Sequence, residues 1–151
     1  MLSSSKVGPW TTLIGNGRKR QIITDTTGLL VGGQVHRADI QDRDGAVGVL
    51  ASIRYLFPWL RHVFADGGYA GEKLETTLAG MGQWTLAIVK RPDQARGFCP
   101  LPRRWVVEQT FAWLGRNRRL AKDFEATIAS ATAFRYAASA MLLIKRIARS
   151  A

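Results

Sequence analysis

Along this chain the period of apolar positions changes from two to nearly four and back, and those changes mark out its elements. Residues 1–16 are rich in Ser, Gly and Thr, carry Trp10 and hold no sustained period, which predicts an irregular N-terminal arm. After Gly17-Arg18-Lys19-Arg20, two β-rich runs over 21–25 and 29–36 flank a turn at Thr26-Thr27-Gly28. That is a hairpin pattern, with Gly32-Gly33 weakening the second strand or marking a bulge. A helix is predicted from 43 to about 56, with Val47, Leu50, Ala51 and Ile53 as a partial stripe, Asp42 placed to cap it and Pro58 beyond its end. Residues 61–66 read as a short buried strand that ends on Asp66 and runs into Gly67-Gly68-Tyr69. A helix over 71–78, a strand over 84–90 and a Pro-rich loop over 91–102 follow. Two helices close the chain, one over 103–121 and one over 125–148 that sets Phe134, Ala137, Met141, Ile144 and Ala148 on a single stripe. This order predicts an α/β fold, a sheet with helices packed on it.

A length of 151 residues suits one domain that buries roughly two thirds of its unfolded surface. The charge balance narrows its partners. Lys plus Arg number 22 against 11 Asp plus Glu, a net charge of +11, which favours a polyanion over a small neutral ligand. Cys99 is the single cysteine, so no disulfide forms within the chain, a composition that fits a reducing compartment. The polar start, Met1 to Lys6, lacks an apolar core of the signal-peptide kind, and the most apolar stretch, 136–144, is far shorter than the ~20 residues of a membrane span. A soluble cytoplasmic protein with no membrane contact is expected.

The helix predicted over 103–121 concentrates the candidate chemistry. At 100° per residue, Arg104, Ala112, Gly115, Arg119 and Lys122 fall near Glu108, while Val106, Trp113, Leu120 and Phe124 lie opposite and Val107, Phe111 and Leu114 form a flank. One carboxylate in a basic strip with small residues beside it can hold a metal while the arginines hold phosphates. A plainer reading is an i,i+4 pair of Arg104 with Glu108 on a solvated face, worth a few tenths of a kcal/mol. Asp66 stands at a strand end, where α/β folds place ligand-binding groups, and Gly67 and Gly68 keep the approach open. It equally fits a turn former or helix cap. His36 and His62 lack ligand spacing and read as local hydrogen-bonding residues, Cys99 as incidental, and Trp59, Trp84, Trp105 and Trp113 as core or boundary aromatics. Trp105 or Trp113 could also stack on an extruded base.

Four segments, 17–20 (Gly17-Arg18-Lys19-Arg20), 35–46 (from Val35-His36-Arg37-Ala38-Asp39 to Gly45-Ala46), 65–71 (Ala65-Asp66-Gly67-Gly68-Tyr69-Ala70-Gly71) and 104–114 (Arg104 to Leu114, with Glu108), carry a family resemblance. Together and in this order they resemble the DDE transposases of bacterial insertion sequences, in the insertion-sequence-five group. The resemblance implies a ribonuclease H-like mixed sheet flanked by helices and metal-dependent DNA strand cleavage and transfer, with Mg²⁺ or Mn²⁺ as cofactor. It matches Asp66 to the second catalytic Asp and Glu108 to the catalytic Glu, both metal ligands. Its implied partner is double-stranded DNA at transposon ends, with action in the bacterial cytoplasm at the nucleoid. Family members act as multimers, which implies a homo-oligomer, although no seam shows in the periodicity.

The chain departs from the family pattern in three places. Leu101 stands where a Tyr is usual, and Gly115 stands where a Lys or Arg is usual, so Arg116 or Arg119 would substitute. Nothing acidic precedes Asp25, although the family's first catalytic Asp lies on the first strand, upstream of 17–20. Asp25 is a weak stand-in and reads better as a turn residue. The resemblance therefore implies a catalytic domain over 17–151 that is partial, shortened at its start and incomplete at the first strand, with residues 2–14 covering the gap in part. Marginal stability would follow from such a gap. Three readings stand: a metal-dependent transposase; a catalytically dead remnant that binds DNA through Arg18, Lys19, Arg20, Arg103, Arg104, Arg116, Arg118, Arg119 and Lys122; or a basic module that only binds nucleic acid.

Overall fold

The polar, β-rich run after Gly17 does form a hairpin. In the computed structural model, which describes residues 1–7, 17–82, 84–89, 104–121 and 124–150 (the backbone alone for 2–7, 104, 119 and 121), strand β2 covers Arg18–Thr24 and strand β3 Leu30–Arg37. The two pair antiparallel from Arg18 opposite Arg37 to Ile23 opposite Gly32, where the register slips past Val31 so that Thr24 faces Leu30. The bulge thus falls beside Gly32. The turn is closed by Asp25, whose Oδ1 accepts from the Thr27 and Leu29 amides and the Thr27 hydroxyl, each at 2.8 Å. Gly28 follows at φ +85°, a left-handed conformation that favours glycine.

The N-terminal residues depart from expectation. Residues 2–7 are not irregular: they form strand β1, Leu2–Val7, antiparallel to β2 with Leu2 opposite Ile23 and Val7 opposite Arg18. On its other side β1 runs parallel to strand β4, His62–Asp66, with Leu2 opposite Ala65. Strand β5, Thr85–Val89, adds parallel to β4 and completes a five-stranded sheet in the order β3-β2-β1-β4-β5. The sheet is therefore not incomplete at its first strand. Only Leu2 and Val7 of this Ser-rich segment are apolar, so its strand state comes from the slot, where neighbours on both sides satisfy backbone donors and acceptors. Trp10, the loop 91–102 with Cys99 and Leu101, Arg103 and Lys122 lie outside the described residues.

Adjacent glycines show how the two faces are used. A Cβ at Gly32 would lie 2.4 Å from Ile53 Cγ2, and one at Gly33 would lie 2.7 Å from Arg135 Nη1. Neighbouring strand residues point to opposite faces, so helices cover both. On the Ile53 side lies helix α1, Asp42–Arg54, which buries Ala46, Val49, Leu50 and Ile53. With helix α2, Glu72–Met81, it encloses Ile23, Val63, Ala65, Tyr69, Leu74 and Leu78 in the main core. Asp42 is the first residue of α1 rather than its cap; Gln41 holds that position and makes no side-chain cap bond. Lys73 of α2 bonds Asp44 of α1 at 2.8 Å, which holds the Asp44 carboxyl below its ordinary value.

On the other face lie helix α3, Arg104–Gly115, the single turn α4, Arg118–Ala121, and helix α5, Ile128–Ser150. The expected helix over 103–121 is thus two pieces. Gly115 and Asn117 are weak helix formers, and the Asn117 amide turns back to the Leu114 carbonyl at 3.1 Å. Helix α5 starts at 128 because Thr127 caps it, its hydroxyl accepting from the Ser130 amide at 3.1 Å. Its orientation overturns the sequence pattern. The buried residues of α5 are Ala131, Arg135, Ala138 and Ser139, whereas Ala137, Met141, Ile144 and Ala148 face outward and Phe134 is half-buried.

Candidate functional site

Asp66 closes β4, and its Oδ1 accepts from the Gly68 amide at 3.0 Å, capping the short 3-10 helix Gly67–Tyr69. The capping reading of this residue therefore holds. A Cβ at Gly67 would meet nothing within 4 Å, so open space lies beside that residue. At Gly68 a Cβ would come within 3.1 Å of Asp42 Oδ2 and 3.2 Å of Asp66 Oδ1, so two carboxylates converge on one point. Asp42 is the partner that sequence reasoning missed, having assigned it only to a helix start. No local signal announces it, since the two residues meet only when α1 docks on the sheet.

Asp42 is already engaged. Lys19 Nζ lies 2.8 Å from its Oδ1 and also donates to the Ile40 carbonyl at 2.7 Å, while Gln21 Nε2 donates to the Asp42 carbonyl at 2.6 Å. Lys19 is buried, with 5% of its surface exposed. It serves as a structural counter-ion to Asp42. The rest of the basic run behaves alike: buried Arg20 donates from Nη1 to the Leu120 carbonyl at 2.6 Å, and Arg18 donates to the carbonyls of Glu125 and Ala126. The stretch Arg18-Lys19-Arg20, expected to bind DNA, ties β2 to the loop before α1, to α4 and to the entry of α5. Alternation alone could not reveal this, because a basic strand residue looks the same whether it meets a phosphate or a carbonyl.

Glu108 lies on the exposed side of α3. The helix buries Val106, Val107, Thr110 and Leu114 and packs on β2, α4 and α5. At 100° per residue, Glu108 stands on the far side from that stripe. Thr110 Oγ1 fixes the helix to the hairpin turn by donating to the Gly28 carbonyl at 2.8 Å, with the Trp113 ring against the same glycine. Asp25, spent on three turn bonds, is two strands from Asp66 and about three residue rows away, on the order of 10 Å in each direction. It does not join Asp66. Among the described residues no group of three or more His, Cys, Asp or Glu could hold a metal ion. The described donors do not form a complete three-carboxylate metal centre: Asp42 is paired to Lys19, and the β1 residues beside Asp66 are Leu2 and Ser3.

Of the remaining basic candidates, Arg116 and Arg118 are exposed, whereas the side chains of Arg104 and Arg119 lie outside the described residues. His36 is buried with Nδ1 2.8 Å from the Arg37 carbonyl, a local role as expected. Trp59 and Trp105 are exposed, and Trp84 and Trp113 are half-buried. No described helix is long and apolar enough to cross a membrane.

The family model described as Transposase DDE domain matches residues 15–143. A protein of Burkholderia cepacia, provisionally described as a transposase for insertion sequence element IS402, is 29% identical over 116 residues, covering 72% of this chain and 54% of its own length. The chain thus spans about half the length of that relative. No solved structure matches.

Proposed function

The chain belongs to the transposase DDE domain family, and from that premise we propose that it acts in DNA transposition by holding double-stranded DNA, with strand cleavage not retained by the chain as it stands. A ribonuclease H-like fold is part of this reading. It is supported by the strand order β3-β2-β1-β4-β5, with β2 alone running against its neighbours β1 and β3, while β4 and β5 run parallel to β1. In that arrangement a carboxylate on β1 would stand next to Asp66. The observation that carries the binding-only reading is the register of β1: Leu2 pairs with Ala65, Ser3 follows, and no residue over 2–7 is acidic.

Asp66 and Glu108 remain the residues proposed to carry the family's metal chemistry, which divalent ions such as Mg²⁺ or Mn²⁺ supply by activating water and stabilising the leaving oxygen. Two carboxylates on separate elements do not by themselves make that centre. DNA binding draws on the net charge of +11 and on exposed cations such as Arg116 and Arg118. With DNA as substrate, the bacterial cytoplasm is the place of action.

One observation favours retained cleavage. Asp42 converges with Asp66 beside the open Gly67, and release of Lys19 would leave a second carboxylate there. Both readings meet in one assay: supercoiled plasmid incubated with the full chain in Mg²⁺ or Mn²⁺, beside salt-dependent binding of a labelled duplex. The expected outcome is salt-sensitive binding without nicking. Nicking that disappears in Glu108→Gln would overturn the binding-only reading, and its disappearance in Asp42→Asn as well would name the substitute ligand.

A further inference from the structure

At the end of α3 away from Arg104, the turn 115–117 and the C-terminal half of α5 enclose a groove of about 240 Å³. Its walls bring together Arg116 from the turn with Lys145, Arg146 and Arg149 from α5, and no described acidic residue lines it. None of these four cations forms an ion pair with a described acidic residue. On α5, Lys145 and Arg149 stand one turn apart and Arg146 three residues before Arg149, so their like charges oppose one another on a single helix. A folded helix that concentrates such repulsion is relieved by an external anion.

Arg146 is held in place from two sides. Its guanidinium stacks on the Trp113 ring at 4.3 Å and donates from Nη2 to the Thr27 carbonyl at 3.2 Å. The other three are exposed and free to turn toward a ligand. One anchored cation and three exposed ones around a Trp-walled groove suit the repeating phosphates of a backbone. One strand carries a charge every 3.4 Å, and Lys145 and Arg149 stand about 6 Å apart along the helix axis.

We propose that this groove, formed by Arg116, Lys145, Arg146 and Arg149 against Trp113, binds the phosphate backbone of duplex DNA. The proposal rests on the reading of the chain as a DNA-binding transposase-family protein, and it moves the DNA contact from the basic strand β2 to the junction of α3 with α5. Backbone contact of this kind positions the duplex and carries no base sequence information. Arg116 lies just past the end of α3, about two turns beyond Glu108 and roughly 80° around the helix axis from it, which sets the groove beside the C-terminal end of the helix that bears Glu108.

The test is fluorescence anisotropy of a labelled 20-base-pair duplex with the full chain between 50 and 200 mM NaCl. Each phosphate contact contributes about 0.9 to the slope of log affinity against log salt, so Lys145→Ala with Arg149→Ala lowers its magnitude by about two. Arg116→Ala lowers it by about one. The paired control Arg43→Ala with Arg54→Ala, on exposed residues of α1, leaves it unchanged. Melting curves confirm that each variant folds, and Lys145→Gln with Arg149→Gln replaces the alanine pair should that pair melt early. A wild-type slope retained in both groove variants overturns the groove while the DNA-binding reading stands. Absence of duplex binding by the unaltered chain at 50 mM NaCl overturns both. Competition by an RNA duplex equal to that by DNA at every salt overturns the assignment to DNA.

Discussion

Arg135→Met is expected to stabilise the protein. The Arg135 side chain is fully buried between α5 and β3, with 0% of its surface exposed, and its Nε, Nη1 and Nη2 all lack a hydrogen-bond acceptor. Burial pushes its guanidinium below the ordinary value, with the neighbouring Tyr136 opposing that shift in part. The compensation in view is the Tyr136 ring, 4.4 Å from the guanidinium carbon and worth about 2 kcal/mol when desolvated. Desolvating one ion costs several kcal/mol, and an apolar replacement of similar volume for buried charge is commonly stabilising by about 1–4 kcal/mol. Methionine fills the same channel beside Gly33 and leaves no donor unmet.

At this chain length each kcal/mol moves the melting temperature by roughly 2–4 °C, so a rise of roughly 2–16 °C is expected. The sign with pH follows from the direction of the shift. The folded pKa lies below the unfolded one, so the charging penalty is present below the folded value and is lifted only as pH rises through it. The gain from Arg135→Met is therefore constant across pH 5 to 8. Circular-dichroism melts at pH 5, 7 and 8 read it directly. A melting temperature equal to or below that of the unaltered chain at all three would refute the reasoning, since it would require the guanidinium to be well satisfied where it lies.

Other outcomes follow from the same geometry. Gly32→Ala drives a Cβ to 2.4 Å from Ile53 Cγ2 and is expected to cost about 1–3 kcal/mol by overpacking, seen as a lower urea midpoint; an unchanged midpoint would mean that α1 shifts freely. Asp25→Ala removes the acceptor of three turn bonds and should lower stability by about 1–3 kcal/mol, with Asp25→Asn losing less. Equal losses in the two variants would show that the turn does not depend on that oxygen. Arg20→Met, which abandons the Leu120 carbonyl, is expected to lower the melting temperature and leave the salt slope of duplex binding intact. A reduced slope in a folded variant would return β2 to the DNA surface. Lys73→Met frees the Asp44 carboxyl, whose folded pKa lies below its unfolded value; the lost stability should be visible at pH 7 and vanish as pH falls through the folded pKa, below about 3.8. A difference that persists at pH 2 would point to packing of the Lys73 stem instead.

The hairpin, α1, β4, α2, β5 and the two long helices were legible because each carries its own period or turn chemistry. Thr26-Thr27-Gly28 after Asp25 signals a turn whatever the rest of the chain does. Strand β1 was not legible, since Leu2-Ser3-Ser4-Ser5-Lys6-Val7 has little strand preference and takes that state from β2 and β4. The burial of Lys19 and Arg20 was hidden for a related reason: their partners are an α1 carboxylate and an α4 carbonyl, remote in sequence. On α5 the stripe of Phe134, Ala137, Met141, Ile144 and Ala148 is not the buried face, because Arg135 goes inward while Met141 and Ile144 remain exposed. Asp66 and Glu108 were recognisable by motif, whereas the convergence of Asp42 with Asp66 depends on docking alone.

The turn over 25–28 has a bearing on how the molecule assembles. Its own bonds span two to four residues, and a hairpin closes in about 1–10 μs. The helices that meet it arrive from far along the chain: Thr110 reaches Gly28 across 82 residues, and Arg146 reaches Thr27 across 119. A fast local loop is thus the landing point for two slow, distant partners, whose docking has to bear the entropy of closing long loops. Two walls of the cationic groove, Trp113 and Arg146, thus rest on four residues that line none of it. Slowing or distorting that turn would be felt as a late defect at the far end of the chain, in a surface with which it shares no sequence neighbourhood.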